Sequence, residues 1–417
     1  GLNAANGMKD RPPGVAAYQI KDVAVLGVGL MGSGIAYCAA QAGYGVFLLE
    51  ADQDALEKGK EAITRRVRGA VERNRMSAET AEALLSRLKP TTDYGDIAGV
   101  DMVFEAVSEV RSIKEAVTAA ASNSVRPDVP IGSNTSTMPI TQLAQSAGKP
   151  ERFIGLHFFA PVDRMKLVEV IKGEQTDDTT LARALDFIAG IRKTPIVVND
   201  GVGFYTSRVV ATYSGEAFTL LAEGVSPALI DDVALKAGMP IGPMTMADAT
   251  SLTLLKDIVA SITGDGSATA YQGMRMTEAL DRLTDAGRTG KAGGGGIYDY
   301  DETGQHDWPE LAEYFPPVRE ELGRDVIERR LLHPQALEAV RAIEEGVIED
   351  AIDADVGAVL GWAFPAAYGG VIGYIETIGL ARFVAECDEL RDRFGGRYEV
   401  PALLRGMADR DEHFFWD

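Results

Sequence analysis

The chain has 417 residues, of which 46% are hydrophobic, and it carries a formal net charge of −21. This length and composition predict a globular protein with a large core and two or three domains. The strong negative charge argues against general affinity for nucleic acid or for an anionic membrane, because its field repels both.

The sequence gives no sign of membrane insertion or export. No segment approaches the roughly eighteen uninterrupted apolar residues of a transmembrane helix, and the opening GLNAANGMKDRPPG lacks the apolar stretch of a secretory signal. Cys38 and Cys387 are too few for a disulfide framework or a thiolate metal site, which fits a reducing compartment. We therefore expect a cytoplasmic protein.

The first predicted elements form a nucleotide-binding unit. In VAVLGVGLMGSGIAYCAAQAGYGVFLLE, a β-branched strand runs into a G-x-G-x-x-G turn, an Ala-rich helix and a second strand that ends in an acid. This context predicts a site where a dinucleotide pyrophosphate lies at the helix N-terminus. The terminal carboxylate favours NAD over NADP, because it can accept hydrogen bonds from a ribose 2′-hydroxyl and repels a 2′-phosphate. The predicted cofactor contacts here are Gly27, Gly29, Leu30, Met31, Gly32 and Glu50.

Two later strands run into polar loops. They are VDMVFEAVSE at 100–109 and VPIGSNTSTMPI at 129–140. In a doubly wound sheet, ligands lie at the carboxyl ends of the strands. We therefore expect Glu109, Asn134 and Ser136 close to a nicotinamide and its substrate.

Residues 58–75, KGKEAITRRVRGAVERNR, are basic within an acidic chain. A charged helix is most often a solvated face, and that interpretation stays open. A substrate with several phosphates, such as coenzyme A, needs a local concentration of cations of this kind. The predicted contacts to coenzyme A are Lys58, Lys60, Arg65 and Arg66.

The second half contains an internal repeat. The segment 222–240 returns at 344–365, where Glu223-Gly224-Val225 matches Glu345-Gly346-Val347 and Ile230-Asp231 matches Ile352-Asp353. Both copies have helical apolar spacing, which predicts two related helical units that could pair within one chain and allow a monomer. The glycine-rich stretch 287–310 is the most obvious connection between them.

The predicted fold is an N-terminal α/β Rossmann-type doubly wound domain followed by a duplicated all-α helical region. The predicted boundaries are a linker at 1–19, the NAD-binding domain at 20–199, the first helical domain at 200–310 and the second at 311–417.

The chain resembles the L-3-hydroxyacyl-CoA dehydrogenases of fatty-acid β-oxidation. VAVLGVGLMGSGIA, EAVSE, SNTST, GLHFFAPVDRMKLVEV and GMPIGPMTMAD are similar to successive motifs of that family. The resemblance implies NAD-dependent oxidation of a 3-hydroxyacyl-CoA to the 3-oxoacyl-CoA. The duplicated second half of the chain resembles the dehydrogenase portion of the bacterial multifunctional enzymes. This resemblance implies that residues 1–19 follow a hydratase domain and that a thiolase is a partner.

By this resemblance, His157 aligns with the catalytic base and Glu169 with its carboxylate partner. An imidazole suits proton transfer near neutral pH, and a carboxylate on its other nitrogen fixes the tautomer. Ser136 aligns with a hydroxyl that contacts the substrate, and Glu109 and Lys114 align with cofactor and substrate contacts.

The chain also departs from the family pattern. Ala160 and Ser207 stand where the family has Asn. Val202 stands at the first position of the family's PGF motif, and Ser251-Leu252-Thr253 stands in place of its GLD motif. The Asn at position 207 helps to position the reacting carbonyl in the family, and Ser207 is shorter with one donor. Two alternatives therefore stay open, a dehydrogenase of a free hydroxy acid and a catalytically weakened NAD-binding scaffold.

The other histidines show no metal-ligand spacing. His306, His333 and His413 are expected at the surface. No metal site is predicted.

Overall fold

The structure, a computed structural model, describes residues 9–263, 269–318 and 322–415. The chain divides between Phe204 and Tyr205 into two compact units. Part of the predicted linker, residues 1–8, lies outside the described residues. No helix within the described ranges is long and apolar enough to cross a membrane.

The first unit is built on one eight-stranded sheet in the order β3-β2-β1-β4-β5-β6-β7-β8. The first six strands are parallel and follow the doubly wound order, while β6 and β7 are antiparallel and β7 and β8 are parallel. The predicted Rossmann-type domain is confirmed. The strands are β1 Asp22–Leu26, β2 Gly45–Leu49, β3 Leu88–Thr91, β4 Met102–Glu105, β5 Ile131–Ser133, β6 Phe153–Phe158, β7 Leu167–Lys172 and β8 Thr194–Asn199.

The sequence explains why these strands lie in the centre. Strands β4, β5 and β6 are buried at every position and are mainly apolar rather than alternating, as expected for a sheet covered on both faces. The helices of this unit are α1 Leu30–Gln41, α2 Gln53–Glu72, α3 Ala78–Leu85, α4 Arg111–Ser124, α5 Ile140–Ala144 and α6 Asp178–Gly190.

Helix α2 contains most of the basic stretch. Asp52 caps its first turn by accepting a hydrogen bond from the N–H of Ala55 at 2.9 Å. Its buried positions recur at helical spacing and hold the helix against the sheet, and they are Leu56, Gly59, Ile63 and Val67. A side chain on Gly59 would place a Cβ atom 2.5 Å from the backbone oxygen of Val28, so glycine lets α2 approach the turn after β1.

The second unit is mainly helical. Its helices are α7 Thr206–Ala222, α8 Pro227–Lys236, α9 Pro243–Thr250, α10 Leu252–Thr263, α11 Met276–Asp285, α12 Leu311–Tyr314, α13 Arg324–Glu344, α14 Ala351–Gly361, α15 Val371–Ile378, α16 Leu380–Phe394 and α17 Ala402–Arg410. The predicted helical region is confirmed, with one addition. An antiparallel hairpin of β9 Tyr298–Asp301 and β10 Gly304–Asp307 lies between the copies in sequence.

The predicted repeat is present, with α7 to α10 in the first copy and α13 to α16 in the second. Gly224 follows the end of α7 at φ +90°, and Gly346 follows the end of α13 at φ +72°. A positive φ at a helix C-terminus favours glycine, which explains the glycine at this place in both copies. Ser251 before α10 and Gly379 before α16 also share their backbone angles, at φ 89° and 90°.

A buried aspartate in each copy caps the next helix. Asp231 accepts hydrogen bonds from the first N–H groups of α9, and Asp355 does the same for α15. Asp231 thus corresponds to Asp355 rather than to Asp353, which the sequence match indicated. The reason is a longer turn before α14, because the helix N-caps are Ser226 and Asp350.

Reciprocal ion pairs join the two copies. Arg208 of α7 binds two carboxylates of the second copy, and Arg330 of α13 binds the two corresponding carboxylates of the first, as in a two-fold interface. Arg330 is completely buried. The nitrogen to oxygen distances from Arg208 are 2.6 Å to both Glu338 and Glu345. The corresponding distance from Arg330 to Glu223 is also 2.6 Å, and Arg330 contacts Glu216 as well.

The glycine-rich stretch 287–310 is part of the first copy rather than a loose connection. The Asp248 carboxylate accepts hydrogen bonds from two of its N–H groups at 2.8 and 2.9 Å, and the Tyr298 hydroxyl donates to Asp231 at 3.0 Å. The second copy repeats this arrangement near its end, where Glu376 accepts from the N–H of Phe414 at 2.6 Å.

The surface position predicted for His333 is wrong. His333 lies inside α13, completely buried, with its ring between Glu386 at 3.1 Å and the Tyr374 hydroxyl at 3.2 Å. His306 and His413 are largely exposed, as predicted. Within the described ranges, no group of three or more His, Cys, Asp or Glu residues could hold a metal ion.

Candidate active site

The polar residues of the first unit collect at one edge of its sheet. Because β1, β2, β4, β5 and β6 are parallel, their carboxyl ends lie at the same edge. The loops that follow these ends contain the glycine turn, Glu50, Glu109 and Ser136, and His157 lies near the end of β6. This is the edge where doubly wound sheets bind their ligands.

The glycine turn has the geometry of a phosphate-binding loop. Gly27 has φ +83°, and a Cβ atom at Gly32 would lie 1.8 Å from the backbone oxygen of Gly27. Among the residues that the structure describes, nothing lies within 4 Å of a Cβ atom built on Gly29, so a ligand can approach the backbone there. Helix α1 begins directly after Gly29 and directs its first N–H groups to this space. Leu30 is 73% exposed and Met31 is half-buried beside it.

Glu50 lies where an adenosine ribose is expected. Its Oε1 atom accepts a hydrogen bond from the N–H of Val28 at 2.5 Å, and its Oε2 atom accepts from Ala51 at 3.3 Å. The carboxylate is therefore held beside the glycine turn, at the end of β2. This position fits a dinucleotide whose pyrophosphate lies over the turn.

A buried ion pair connects β4 to the neighbouring loop. Lys114 is 1% exposed, and its Nζ atom lies 3.0 Å from Oε1 of Glu105, which is completely buried at the end of β4. The same Nζ atom lies 3.1 Å from Oε2 of Glu109. The Ser133 hydroxyl also donates to Glu105, at 2.5 Å. Lys114 thus supports the loop from inside, and only Glu109 of this network is exposed.

The loop after β5 is held by the same network. The Oε1 atom of Glu109 accepts hydrogen bonds from the Thr135 hydroxyl and from the N–H of Ser136, the latter at 3.1 Å. Asn134 accepts through Oδ1 from the N–H of Phe158 at 2.9 Å, which ties this loop to the end of β6. Asn134 and Ser136 are both half-buried at the sheet edge.

His157 and Glu169 are directly opposite each other in the antiparallel pair β6 and β7. Directly opposed residues of such a pair point to the same face, which brings together two side chains that are far apart in sequence. The His157 Nδ1 atom lies 2.9 Å from Oε2 of Glu169. Glu169 is completely buried, while 10% of the His157 side chain is exposed. Within the described residues, Nε2 of His157 makes no hydrogen bond and is available to a substrate.

Aromatic side chains surround this imidazole. The Phe159 ring centroid lies 4.4 Å from that of His157, and the Phe204 centroid lies 6.3 Å away. Such apolar neighbours exclude water and strengthen the contact between His157 and Glu169.

The four predicted coenzyme A contacts on α2 do not share one environment. Lys58 and Arg65 are exposed, and Arg65 lies 3.8 Å from Glu61. Lys60 is half-buried. Arg66 is 25% exposed and lies 3.7 Å from Asp163, so part of its charge is already compensated.

Ser207 belongs to the second unit. It is the second residue of α7 and is half-buried.

Glu105 is the main residue of this edge that the sequence did not single out. A signal was present, because an ionisable residue ends the otherwise apolar strand MVFE and a lysine follows within the next helix. An unpaired charge is costly in such a buried place, so a partner was to be expected.

The first unit combines a doubly wound sheet, a glycine turn at a helix N-terminus, an acid at the end of β2 and a histidine paired with a carboxylate. Together these features define a dinucleotide-binding oxidoreductase. Two family descriptions match the chain, "3-hydroxyacyl-CoA dehydrogenase, NAD binding domain" over residues 22–201 and "3-hydroxyacyl-CoA dehydrogenase, C-terminal domain" over residues 203–300. The chain belongs to the 3-hydroxyacyl-CoA dehydrogenase family, and its first unit is the family's NAD-binding domain.

Relatives and solved structures agree with this family. The fatty acid oxidation complex subunit alpha of Pseudomonas putida is 38% identical over 413 residues, which are 96% of this chain and 56% of that protein. The chain therefore spans about half the length of the curated relatives it matches. Among solved structures, 3-hydroxybutyryl-CoA dehydrogenase from Escherichia coli K12 has a TM-score of 0.81 and 25% identity, covering 94% of this chain and 99% of that one. (S)-3-hydroxybutyryl-CoA dehydrogenase from Ralstonia eutropha has a TM-score of 0.65 and 32% identity, covering 68% and 100%.

Proposed function

We propose that this protein oxidises (S)-3-hydroxyacyl-CoA to 3-oxoacyl-CoA with NAD as the oxidant. The observation that carries the proposal is the hydrogen bond between His157 Nδ1 and Glu169, at the sheet edge that also holds the glycine turn. Family membership supports the same reaction. When bound, NAD supplies the hydride acceptor, and Gly27, Gly29 and Gly32 with Glu50 fit its pyrophosphate and ribose.

His157 acts as the general base in this proposal. Its Nε2 atom accepts the proton of the 3-hydroxyl group as the hydride leaves the carbon. Glu169 accepts a hydrogen bond from Nδ1–H, so the proton stays on Nδ1, Nε2 stays an acceptor and the imidazolium that forms is stabilised. A positioned base of this kind contributes roughly 10² to 10⁴-fold to the rate.

Hydroxyl groups position the substrate. We assign Ser136 and Ser207 to contacts with the reacting oxygen, and Glu109 and Asn134 to the nicotinamide side of the site. Lys114 is too deeply buried to reach a ligand unless the loop opens, so we assign it to holding Glu109 in place.

The phosphates of coenzyme A are assigned to three cations of α2, two of them exposed and one half-buried. Lys58, Lys60 and Arg65 are available for this role, while Arg66 keeps its contact with Asp163. The cations would offset the repulsion that the chain's net charge of −21 exerts on an anionic substrate.

We further propose that the protein works in fatty-acid β-oxidation, beside an enoyl-CoA hydratase and a thiolase. Support comes from its relatives, which are named as alpha subunits of fatty acid oxidation complexes.

The test is NADH formation from (S)-3-hydroxybutyryl-CoA, its R enantiomer and free 3-hydroxybutyrate. The proposal expects turnover of the S thioester alone. Turnover of the free acid at an equal rate would favour the alternative of a hydroxy-acid dehydrogenase, and NADH binding without any turnover would favour the scaffold alternative.

The coenzyme A contacts have their own test. Reversing the charge at Lys58 and Arg65 should raise the KM for the thioester and leave kcat unchanged. The matched control is Lys149→Glu, an exposed lysine of the same unit. An unchanged KM in the double variant would remove α2 from the substrate site.

A further inference from the structure

The second unit contains a cavity of about 170 Å³ between α7, α10 and α11. Most of its lining residues are apolar, with methionine and branched side chains among them, and Tyr271 and Thr277 add polar surface. Its two residues on α7 are Ala211 and Gly215. The remaining lining residues are Val259, Ile262, Tyr271, Met274, Met276 and Thr277.

Small residues on α7 create this space. The internal repeat offers a direct comparison, because α7 corresponds to α13. The positions of Ala211 and Gly215 correspond to His333 and Leu337 in the second copy, and both of those larger side chains are completely buried. At Ala211 the first copy therefore lacks the side chain that fills this place in the second. At Gly215 the sulfur of Met274 occupies the space, because a Cβ atom there would collide with it.

The cavity has open access rather than being sealed. Thr277 is exposed, and Ala211, Tyr271 and Met274 are half-buried. The Tyr271 hydroxyl donates to the backbone oxygen of Arg208 at 2.9 Å, so its one phenol group is already satisfied. The remaining wall is mainly apolar, with Thr277 as its other hydroxyl, and no charged residue is among its lining residues. Such a wall suits a hydrocarbon better than a charged group.

The cavity lies on the Ser207 face of α7. Ser207, Ala211 and Gly215 follow one another at intervals of one helical turn, so all three are on the same face. At about 1.5 Å per residue, the cavity begins roughly 6 Å from Ser207 along the helix and extends to roughly 12 Å.

The size and wall suit an alkyl chain. A cavity of about 150 Å³ lined by apolar side chains is large enough for a benzene-sized group. Methionine side chains such as Met274 and Met276 adapt to chains of different length, because they are flexible and polarisable.

We propose that this cavity receives the distal part of the substrate's acyl chain and sets the chain-length preference. The inference rests on the proposed function, in which Ser207 contacts the reacting oxygen. A chain bound at its reacting end beside Ser207 can continue along this face of α7 into the cavity. Ala211 is then the specificity-determining residue, because a larger side chain here closes the cavity.

The test is Ala211→Leu, which adds an isopropyl group to the cavity. The kcat/KM for 3-hydroxybutyryl-CoA should stay within about twofold of wild type, because its chain is too short to enter. The kcat/KM for 3-hydroxydecanoyl-CoA and 3-hydroxypalmitoyl-CoA should fall by about 60-fold. Each methylene displaced from apolar burial costs about fourfold, and the leucine displaces about three methylenes. The matched control is Ala385→Leu, an exposed alanine within α16, which should change neither value.

Equal kcat/KM losses for short and long thioesters, or no loss for either, would overturn the inference while leaving the proposed function intact.

A second readout does not require turnover. Decanoyl-CoA, which lacks the 3-hydroxyl group, should shift the methyl NMR signals of Met274 and Met276 in the wild type and should not shift them in Ala211→Leu. Unshifted signals in a wild type that binds decanoyl-CoA would also overturn the inference. A wild type that oxidises no thioester but shows these shifts would contradict the proposed function and support the cavity.

Discussion

The substitution Glu169→Gln tests how much the carboxylate contributes to the proposed base. Glu169 is completely buried and lies 2.9 Å from Nδ1 of His157. Glutamine has the same shape, so the packing of β7 against β6 is retained. The change removes the negative charge and lets an amide face the imidazole.

Two limits bracket the expected loss. If the amide oxygen faces Nδ1, the tautomer is kept and only a hydrogen bond to a charged group is weakened, which costs about 1.5 to 3 kcal/mol, or about 10-fold to 150-fold in kcat. If the amide nitrogen faces Nδ1, the proton moves to Nε2 and the base is blocked, which costs on the order of 10⁴-fold.

The assay is steady-state NADH formation, with NAD binding measured separately by calorimetry. We expect kcat to fall by at least 10-fold with NAD binding unchanged. The matched control is Glu174→Gln, an exposed glutamate shortly after β7, which should retain full activity. A Glu169→Gln variant with kcat within threefold of wild type would refute the role given to this carboxylate.

Three further predictions concern stability and cofactor choice. Burial raises the pKa of Asp355 from 3.8 to about 6. The folded state therefore binds this proton more tightly than the unfolded state, and the stability that protonated Asp355 provides is lost as the pH rises through 6. Relative to Asp355→Asn, the wild type should gain about 1.4 kcal/mol in free energy of unfolding, measured with urea, from pH 7.5 to pH 5, and a loss over that range would contradict this. Arg330→Met removes one of the two arginines that bind the completely buried Glu216, while Arg397 remains at 2.6 Å. The variant should lower the free energy of unfolding by about 1.5 to 3 kcal/mol, the contribution of hydrogen bonds to a charged group. The partly exposed Arg391→Met should have a clearly smaller effect, and equal effects would refute the contrast. Glu50→Ala should reduce the preference for NAD over NADP in kcat/KM by at least about 10-fold, since the carboxylate no longer repels a 2′-phosphate, and an unchanged ratio would remove Glu50 from the ribose site.

Much of the first unit could be predicted because its pattern is local. The strand, glycine turn, helix and acid are contiguous in sequence, and each has a steric or electrostatic requirement. Gly27 shows this most clearly, because its φ of +83° is one that residues with side chains rarely adopt. The pairing of His157 with Glu169 came from family resemblance, and the antiparallel register of β6 and β7 now gives its physical reason.

The depth at which Lys114 and His333 are buried could not be predicted from the sequences of their own helices, because their environment is set by tertiary packing. Lys114 lies in a helix whose sequence gives no reason to expect a side chain only 1% exposed, and only the position of Glu105 at the end of β4 explains it. His333 was expected at the surface since a proline follows it, yet Pro334 lies inside α13, a helix surrounded by other helices. Periodicity gives little information for a helix that is buried on all sides.

The repeat was visible in sequence, but its register was only partly correct. Residue matches located the glycines after α7 and α13, because positive φ restricts those positions. They missed the correspondence of Asp231 with Asp355, because the turn before α14 is longer and a nearby Asp353 gave a false match. Hydrogen bonds to the next helix, rather than residue identity, define the equivalent position.

The central claim is that the imidazole of His157 takes the proton of the substrate hydroxyl. The most direct measurement is the single-turnover rate of NADH formation from (S)-3-hydroxybutyryl-CoA in wild type and in His157→Ala, with NAD affinity determined on the same samples. We predict a rate at least about 100-fold lower in the variant with unchanged NAD affinity. A rate close to that of wild type would contradict the account.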